Sequence, residues 1–305
     1  MPKNTPFLSE SFAMRALKRL GMESMAWSLR RLHCPVQPSA LVLEVGAGGN
    51  PYPRANVLLD AYESTVERIE SELVKDRPIV LGYAECMPFK SKAFDFIIAS
   101  HVLEHSFDPE NFLKELMRVG KAGYIETPDG FFERINPFTY HRLEVTDIGG
   151  KLRIFKKSSW RHDGGIVGEY ERKMKDATFL RFLSKHPEPF YTRFYWQTQI
   201  PYWIVNPDVD VTWPLPEEAF RKNNSDSKRG QRSLLRWMIL LGLRRVLSQT
   251  RRNRSINVYE KLRCPSCTSE TGLVRYQNEL RCNICSARYP IRDGIPVMYP
   301  STVQR

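Results

Sequence analysis

The sequence predicts an α/β protein whose sheet is doubly wound and mostly parallel, with an antiparallel edge and a small C-terminal module. Three observations predict this fold class. Short apolar runs alternate with helical patterns from residue 41 to residue 127. Segments with strand-like alternation follow them, and two Cys-x-x-Cys pairs lie near the C-terminus. With 305 residues, the chain is long enough for one large domain and one small one.

We expect four parts in the chain. They are an N-terminal helical segment at 1–38, a main domain at 39–220 with an aromatic-rich region at 130–220, a basic linker with an apolar helix at 221–257, and a cysteine-bearing module at 258–305. Within the first part, apolar residues at helical spacing predict one helix over 7–32, with Ser9 or Ser11 as its cap.

The main domain begins with a succession of strands. The apolar runs predict strands at 41–45, 56–60, 79–82, 94–100 and 123–127, and helices at 62–76 and from Asp108 to Val119. Only about ten residues separate the first two strands, and Pro51 and Pro53 are among them. A parallel crossover usually needs a dozen residues or more, so the first helix should be short or missing.

The first strand runs into the glycine cluster Gly46-Ala47-Gly48-Gly49, and Asp60 ends the second strand. Glycines have no Cβ, so they let a backbone approach a ligand closely. A carboxylate at the neighbouring strand end can accept two ribose hydroxyls. Together they predict a nucleoside-containing cofactor at the carboxyl ends of the sheet. The spacing is not Gly-x-Gly-x-x-Gly, so dinucleotide binding is weakly indicated and an ordinary strand exit remains an alternative.

Four pieces in order resemble class I S-adenosylmethionine-dependent methyltransferases of the type 11 group. They are Val-Leu-Glu-Val-Gly-Ala-Gly at 42–48, Asp60, Gly-Tyr-Ala-Glu-Cys-Met-Pro-Phe at 82–89 and Phe-Asp-Phe-Ile-Ile-Ala-Ser-His-Val-Leu-Glu-His at 94–105, and the likeness continues to residue 128. The resemblance implies a Rossmann-like methyltransferase sheet, S-adenosylmethionine as the cofactor, and transfer of its methyl group.

The resemblance also implies a role for each piece. The loop residues Glu44, Gly46, Ala47 and Gly48 would hold the methionine and ribose portions, and Asp60 would bind the ribose hydroxyls. Ala84 and Glu85 would flank the adenine, and Ser100 with His101 would form the floor between cofactor and acceptor. The family usually has an aspartate where Tyr83 stands, and the short 48–60 connection removes a helix that usually walls the pocket.

The region 130–220 should determine the acceptor. Alternating residues around Gly149 and Gly150 predict a hairpin, and 192–197 with 200–205 predict the antiparallel edge. Its many aromatic rings would line an acceptor pocket or pack in the core. The candidate bases are His101, then His141, with His105 as a further one, because a histidine near the carboxyl edge can abstract a proton. A packing role for each remains an alternative.

The formal net charge of +12 is concentrated in one segment. Residues 221–257 contain eleven Lys or Arg against one acidic residue, which gives ten of the twelve net charges. Within this segment, 234–247 predict an apolar helix that is too short to span a bilayer. It would tie the two domains together, contact the inner membrane surface peripherally, or hold RNA phosphates. RNA is the least favoured, because apolar residues cover most of the helix circumference.

Cys264, Cys267, Cys282 and Cys285 form two knuckles with fourteen residues between them. Four thiolates at this spacing predict a structural zinc site, closed to further ligands. With residues 289–298, the knuckles resemble the zinc-ribbon activator subunits of tRNA, rRNA and release-factor methyltransferases. The resemblance implies an activator fused to the enzyme that stabilises the catalytic domain in cis. An independent ribbon that binds substrate or nucleic acid is the alternative.

The sequence therefore predicts a methyltransferase with an unidentified acceptor. A small-molecule, glycan or lipid-linked acceptor is slightly favoured over tRNA, rRNA or protein of the translation machinery, since the catalytic part has no long basic, aromatic-studded face. The alternatives are a non-catalytic binding protein with this fold and a zinc-ribbon nucleic-acid adaptor. Without a secretory signal or a run of ~18 apolar residues, we expect a cytoplasmic protein. The oligomeric state stays open.

Overall fold

The computed structural model describes residues 10–63, 73–160, 162–214, 242 and 246–301. The helices are α1 Phe12–Arg19, α2 Glu23–Leu29, α3 Pro109–Val119, α4 Gly130–Ile135, α5 Gly164–Lys173, α6 Ala177–Lys185 and α7 Thr250–Ser255. The strands are β1 Val42–Val45, β2 Val57–Asp60, β3 Ile79–Leu81, β4 Phe94–Ser100, β5 Gly120–Pro128, β6 Leu143–Asp147, β7 Leu152–Lys156, β8 Tyr191–Gln197, β9 Tyr202–Ile204, β10 Leu273–Arg275, β11 Glu279–Cys282, β12 Arg288–Arg292 and β13 Ile295–Pro296.

The central sheet has six strands in the order β3-β2-β1-β4-β5-β8. All neighbours pair in parallel except β8, which runs antiparallel to β5 along seven residue pairs. The predicted fold class, with its antiparallel edge, is confirmed. From β1 the chain first builds outward through β2 and β3, and then returns to place β4 on the other side of β1. Ligands of such sheets bind outside the carboxyl ends at this switch point.

The prediction of a single N-terminal helix over 7–32 is wrong, because the described residues of this segment form two helices. Gly21 adopts φ of 72°, and α1 ends before it while α2 begins after it. A positive φ cannot continue a right-handed helix, and glycine reaches it without a Cβ penalty. Ser11 is the cap of α1, since its side chain accepts the Met14 N–H at 3.2 Å. A 3₁₀ turn at Arg30–Leu32 completes the segment.

Of the two strands predicted for the antiparallel edge, 192–197 is confirmed there and 200–205 is not. β8 closes the central sheet as expected, but β9 leaves it and joins a separate sheet of order β6-β7-β9, in parallel with β7. An alternating pattern shows that a segment is extended, but it does not show which strand the segment pairs with. Here β9 pairs with β7, whose Leu152 and Ile154 are buried. The β6–β7 hairpin itself is confirmed, with Gly149 and Gly150 at positive φ.

The predicted short connection between β1 and β2 is confirmed, because residues 46–56 contain turns and no helix. Most of the predicted helix 62–76 lies outside the described residues. The same holds for the apolar helix at 234–247, so its docking, membrane and RNA interpretations stay predictions. Within the described ranges, no helix is long and apolar enough to cross a membrane.

The C-terminal end of the basic segment docks on the main domain. Asn253 of α7 is almost fully buried, and its side-chain oxygen accepts the Asn56 amide at 2.8 Å. Arg252 donates to the carbonyl oxygen of Ala40 at 3.0 Å. These arginine and asparagine side chains satisfy carbonyl and amide groups at the entrance of β1, so part of the segment serves packing.

The module of β10 to β13 joins the main domain through the backbone at two places. Met298 donates its N–H to the Leu81 oxygen at 2.7 Å, and Val297 forms a parallel bridge with Leu81, which extends the sheet at the β3 edge. Leu262 forms an antiparallel bridge with Phe89. One continuous core contains Leu262 and Met298 together with Phe89 and the strands of the main sheet. An exposed edge strand is thereby covered.

Replacing Leu262 by Ala should destabilise the whole protein by about 2–5 kcal/mol, because the side chain is buried in the shared core. All six tryptophans precede Val258, so tryptophan fluorescence during urea unfolding reports on the chain outside the C-terminal module. Ile284→Ala is the matched control in the module, since that side chain is 63% exposed. An unchanged tryptophan transition in Leu262→Ala would contradict the shared core.

Candidate active site

A cleft of about 200 Å³ opens at the carboxyl ends of β1, β2 and β4. It brings together segments far apart in sequence, at the switch point of the sheet. Its lining includes the predicted site residues Gly46, Gly48, Asp60, Ala84, Glu85 and His101. The other predicted residues at this edge, Glu44, Ala47 and Ser100, are not part of its lining.

The glycines shape the exit of β1. Gly46 has φ of 68°, and its N–H donates to the Leu59 oxygen at 2.9 Å, so the chain turns over the end of β2. A Cβ on Gly46 would lie 2.7 Å from Val102 Cγ2, closer than carbon atoms tolerate. Gly48 also has a positive φ, 54°, and donates its N–H to Asp60 Oδ2 at 3.0 Å. Only glycine fits the first position without strain.

Asp60 is 7% exposed and faces the cleft from the end of β2. Its two oxygens accept backbone N–H groups, from Gly48 at 3.0 Å and from Tyr62 at 3.2 Å. These bonds fix the carboxylate in place. A carboxylate has about four lone-pair sites, so it retains capacity for hydroxyl donors. The arrangement fits a ribose with two vicinal hydroxyls.

Glu44 has a different position from the one expected. Its side chain is buried, and Oε2 accepts the Tyr52 N–H at 2.7 Å. The carboxylate therefore closes the 46–52 loop from inside. The sequence prediction missed this because the strand pattern does not show whether a carboxylate points to the ligand or to its own loop.

The 82–85 loop forms the opposite wall. Tyr83, at the position of the family's usual aspartate, packs against Tyr299 with ring centroids 4.9 Å apart, and Tyr299 donates its hydroxyl to the Ala61 oxygen at 2.6 Å. Glu85 accepts a hydrogen bond from the Ser106 hydroxyl at 2.7 Å. The C-terminal module thus contributes Tyr299, which packs behind this wall. The wall itself presents the ring of Tyr83 and the carboxylate of Glu85 to the cleft.

His101 lies at the end of β4, where its ring is 39% exposed and its backbone φ is 58°. Its Nδ1 is 3.3 Å from Glu104 Oε1, and its Nε2 is 3.3 Å from Glu126 Oε1. Burial lowers the pKa of His101, but the two carboxylates outweigh it and raise the pKa to about 9. The ring is largely protonated at neutral pH. It therefore presents a cation between two carboxylates, and its predicted role as a base stays a prediction.

Glu126, which the sequence analysis did not single out, organises the residues behind His101. It is fully buried on β5 and receives Arg30 in a bidentate contact, Nε at 2.9 Å and Nη2 at 3.1 Å. Burial opposes its charge, yet the His101 hydrogen bond and Arg30 hold the pKa of Glu126 well below its usual range. Ser100 lies in this network, with its hydroxyl 3.4 Å from Glu126 Oε1. The sequence signal that could have identified Glu126 is the presence of a glutamate inside an apolar strand.

His141 is buried and lies behind the cleft. Its Nδ1 is 2.6 Å from Glu133 Oε2, and Lys157 Nζ is 3.0 Å from the other oxygen of Glu133. Its ring centroid is 4.7 Å from that of His105, which lines the cleft. Burial and the charge of His141 lower the pKa of His105 to about 3, so His105 is neutral at ordinary pH. The structure brings these two histidines together with Glu104.

The four module cysteines form a compact group, with their sulfur atoms within 4.8 Å of one another. Cys264 and Cys285, and likewise Cys267 and Cys282, have Sγ atoms 3.6 Å apart. A tetrahedral site with Zn–S bonds of ~2.3 Å requires sulfur–sulfur distances of about 3.8 Å. The donor set and spacing therefore fit a zinc ion.

The two knuckles have the same backbone geometry. Cys264 donates its N–H to the Ser269 oxygen and Cys282 donates to the Ala287 oxygen, both at 2.9 Å. The residue after the second cysteine of each pair has a positive φ, 59° at Thr268 and 61° at Ser286. Such a repeated turn points both pairs of sulfur atoms to one centre.

Comparison with known proteins supports both parts of the chain. Residues 43–125 match the model of the methyltransferase domain family. At the C-terminus, 39 residues are 51% identical to a UPF0434 protein of Ralstonia pickettii, and 41 residues are 42% identical to one of Bordetella avium. Each stretch is 13% of this chain, and it spans 63% and 65% of those relatives.

The chain also aligns at low TM-scores with two solved methyltransferase structures. A complex between the Haloferax volcanii Trm112 methyltransferase activator and a methyltransferase matches at 18% identity and a TM-score of 0.28, over 46% of this chain and 78% of that one. An S-adenosylmethionine-dependent methyltransferase of Mesorhizobium loti matches at 11% identity and a TM-score of 0.32, over 56% and 96%.

The sheet order, the cleft at its switch point and the family match define a Rossmann-like methyltransferase domain. The chain contains a domain that matches the methyltransferase family model, and a UPF0434-like cysteine module follows it in the same chain. Both parts of the recognised fusion are confirmed.

Replacing Gly46 by Ala should weaken cofactor binding and cost about 1–3 kcal/mol of stability from the positive φ, with the Val102 clash added. Val102→Ala in the same chain should relieve the clash with Cγ2 and restore part of the loss. Urea unfolding measures the stability. Gly168→Ala in α5 is the control, since nothing lies within 4 Å of its added Cβ and it should be neutral or slightly stabilising. Equal stability of Gly46→Ala and Gly168→Ala would refute the constraint.

Proposed function

We propose that the protein methylates a small-molecule, glycan or lipid-linked acceptor with S-adenosylmethionine, and that a zinc-filled ribbon stabilises its catalytic domain in cis. The observation that carries the cofactor assignment is the position of Asp60, fixed by two backbone N–H groups at the mouth of the Gly46–Gly48 turn. Bound S-adenosylmethionine supplies a methyl group on a sulfonium that is already a good leaving group. The work left to the chain is to position the reactants and exclude water.

Different residues of the cleft would bind different parts of the cofactor. Asp60 would accept the ribose hydroxyls, and the Gly46–Gly48 turn would contact the methionine portion through its backbone. The 83–85 segment would flank the adenine, with Tyr83 in place of the family's usual aspartate. Glu44 would act indirectly by holding the loop closed, and Ala47 and Ser100 would act from behind the surface of the cleft.

An apolar wall leads from the cofactor cleft to the surface. The ring of His101 meets the edge of Tyr191 at 5.7 Å, Tyr191 lies 6.0 Å from Phe132, and Phe132 lies 5.3 Å from Phe190. Trp27 of α2 covers Tyr191 at 5.2 Å. This succession of rings supports an acceptor with an apolar portion, which would reach the methyl group beside His101. A long basic face for RNA is not among the described residues of this wall.

The catalytic roles of His101 and His141 remain part of the proposal. His101 would face the acceptor as a ring whose two nitrogens are held by Glu104 and Glu126, so it would position the acceptor through its ring face and carbon edge. His141 would act from the second layer, since Glu133 and Phe138 enclose it. Methyl transfer needs a base only where the acceptor must lose a proton.

The ribbon would stabilise the cofactor loop. Its two backbone junctions, at Leu81 and at Phe89, lie on either side of the 82–88 segment that lines the cleft. A Cβ on Gly82 would lie 3.2 Å from the Met298 oxygen, so the loop and the module are in close contact. Zinc would hold the module in shape, because a unit of under fifty residues has too small a core to fold alone.

Calorimetric titration with S-adenosylmethionine and S-adenosylhomocysteine tests the cofactor assignment. We expect micromolar binding, about −8 kcal/mol. Asp60→Ala should weaken it by about 1.5–3 kcal/mol, roughly 10- to 150-fold, through lost hydrogen bonds to a charged group. Asp208→Ala is the matched control, because that aspartate is exposed on the surface. Undetectable binding to the folded wild type would favour the non-catalytic alternative, and equal affinities in both variants would move the ribose elsewhere.

Replacing Cys282 and Cys285 together by Ser should remove zinc from the chain and lower the tryptophan-detected unfolding midpoint, because half of the thiolate ligands are lost. Metal content is measured by mass spectrometry on the purified protein. Cys34→Ser provides the control, since Cys34 lies in a separate apolar cluster near β1. A zinc content equal to that of the wild type in the double variant would rule out this site.

A further inference from the structure

A second group of ligand-type side chains lies beside the cofactor cleft. Glu104, His105 and His141 each offer one oxygen or nitrogen atom, and these atoms lie within 4.8 Å of one another. Glu104 and His105 belong to a 3₁₀ turn at Leu103–His105 after β4, and His141 precedes β6. We propose that these three side chains bind a divalent transition-metal ion, separate from the zinc of the ribbon.

The Glu104 carboxylate is the first reason. It is 2% exposed, and neither of its oxygens has a hydrogen-bond partner among the described residues. Its ion-pair partner His101, whose Nδ1 lies 3.3 Å from Oε1, is shared with Glu126, so one histidine ring faces two buried carboxylates. A buried carboxylate without hydrogen bonds is costly unless a cation compensates it. A metal ion would supply that compensation.

His141 is already oriented as a metal ligand would be. Its Nδ1 lies 2.6 Å from Glu133 Oε2, and in the tautomer that donates Nδ1–H to Glu133 the lone pair is on Nε2. Lys157 holds the other oxygen of Glu133 at 3.0 Å. Carboxylate–histidine pairs of this kind set the tautomer and the ring orientation of metal-binding histidines.

His105 completes the donor set. Its ring donates a hydrogen bond to the backbone of Tyr140, the residue directly before His141. A neutral imidazole that donates through one nitrogen has a lone pair on the other. The same short segment therefore supplies one ligand and orients another. His105 also lines the cofactor cleft, so an ion at this cluster would lie at the border of the cleft.

The donor set indicates the kind of ion. Two imidazoles and one carboxylate suit Zn²⁺, Fe²⁺ or Mn²⁺, and three protein ligands leave positions open for further ligands. Because His105 borders the cleft, those positions would receive water or an oxygen of a bound molecule, such as a hydroxyl. That this molecule is the methyl acceptor rests on the proposed function, whereas the metal site itself does not.

Manganese is the probe of choice, because Mn²⁺ prefers nitrogen and oxygen ligands over the thiolates of the ribbon. The full chain, with its ribbon filled by one zinc, is titrated with Mn²⁺, and free Mn²⁺ is followed by electron paramagnetic resonance. We expect one bound Mn²⁺ per chain. Glu104→Gln and His141→Gln should each weaken binding by more than about 100-fold. Glu133→Gln, which removes only the orienting partner, should weaken it by about 10–100-fold.

Glu110→Gln and His186→Gln are the matched controls, since both residues lie outside the cluster, on α3 and after α6, and pair with Lys114 and Glu23. Both should bind Mn²⁺ like the wild type. The proposal is overturned if the wild type takes up no Mn²⁺, Co²⁺ or Zn²⁺ beyond the ribbon zinc, or if folded Glu104→Gln and His141→Gln bind unchanged. Calorimetry with S-adenosylmethionine on the same samples is independent of the metal count, so failure of the cofactor assignment is recognised separately.

Discussion

The pairing of β1 with β2 on one side and β4 on the other is the constraint on which the site depends. Parallel pairing places the carboxyl ends of all three strands at one edge of the sheet. Gly46, Asp60 and His101 each follow or end one of these strands, so the register alone brings them to one cleft. The short connection after β1 is then closed from inside by Glu44, which accepts the Tyr52 N–H.

Buried carboxylates connect the remaining elements to this edge. Glu126 of β5 receives Arg30 from the N-terminal segment, and Glu133 of α4 receives Lys157 from beyond β7. Each carboxylate is nearly inaccessible to solvent, so removal of either cation would leave a buried charge with fewer partners, which is destabilising. These pairs therefore specify how the N-terminal helices and the small sheet sit around the acceptor side.

The C-terminal module covers the outer edge of β3 in the central sheet. β3 has only three residues, and its outer edge would otherwise present free backbone groups. Val297 and Met298 take that place, and Leu262 pairs with Phe89 on the far side of the cofactor loop. Leu262 and Met298 of the module lie in one continuous core with Phe89 and the strands of the main sheet, so the two parts share their packing.

The sequence by itself determined the strands, the glycine turn, Asp60 and the cysteine spacing, because each of these follows from local pattern and local chemistry. It could not show that Gly21 divides the N-terminal helix, that β9 leaves the central sheet, or that Glu44 turns inward. Those outcomes depend on which distant groups become neighbours. Tertiary structure alone decided that Glu126 flanks His101, and that Glu104, His105 and His141 meet, since their proximity arises from packing between segments that no sequence period connects.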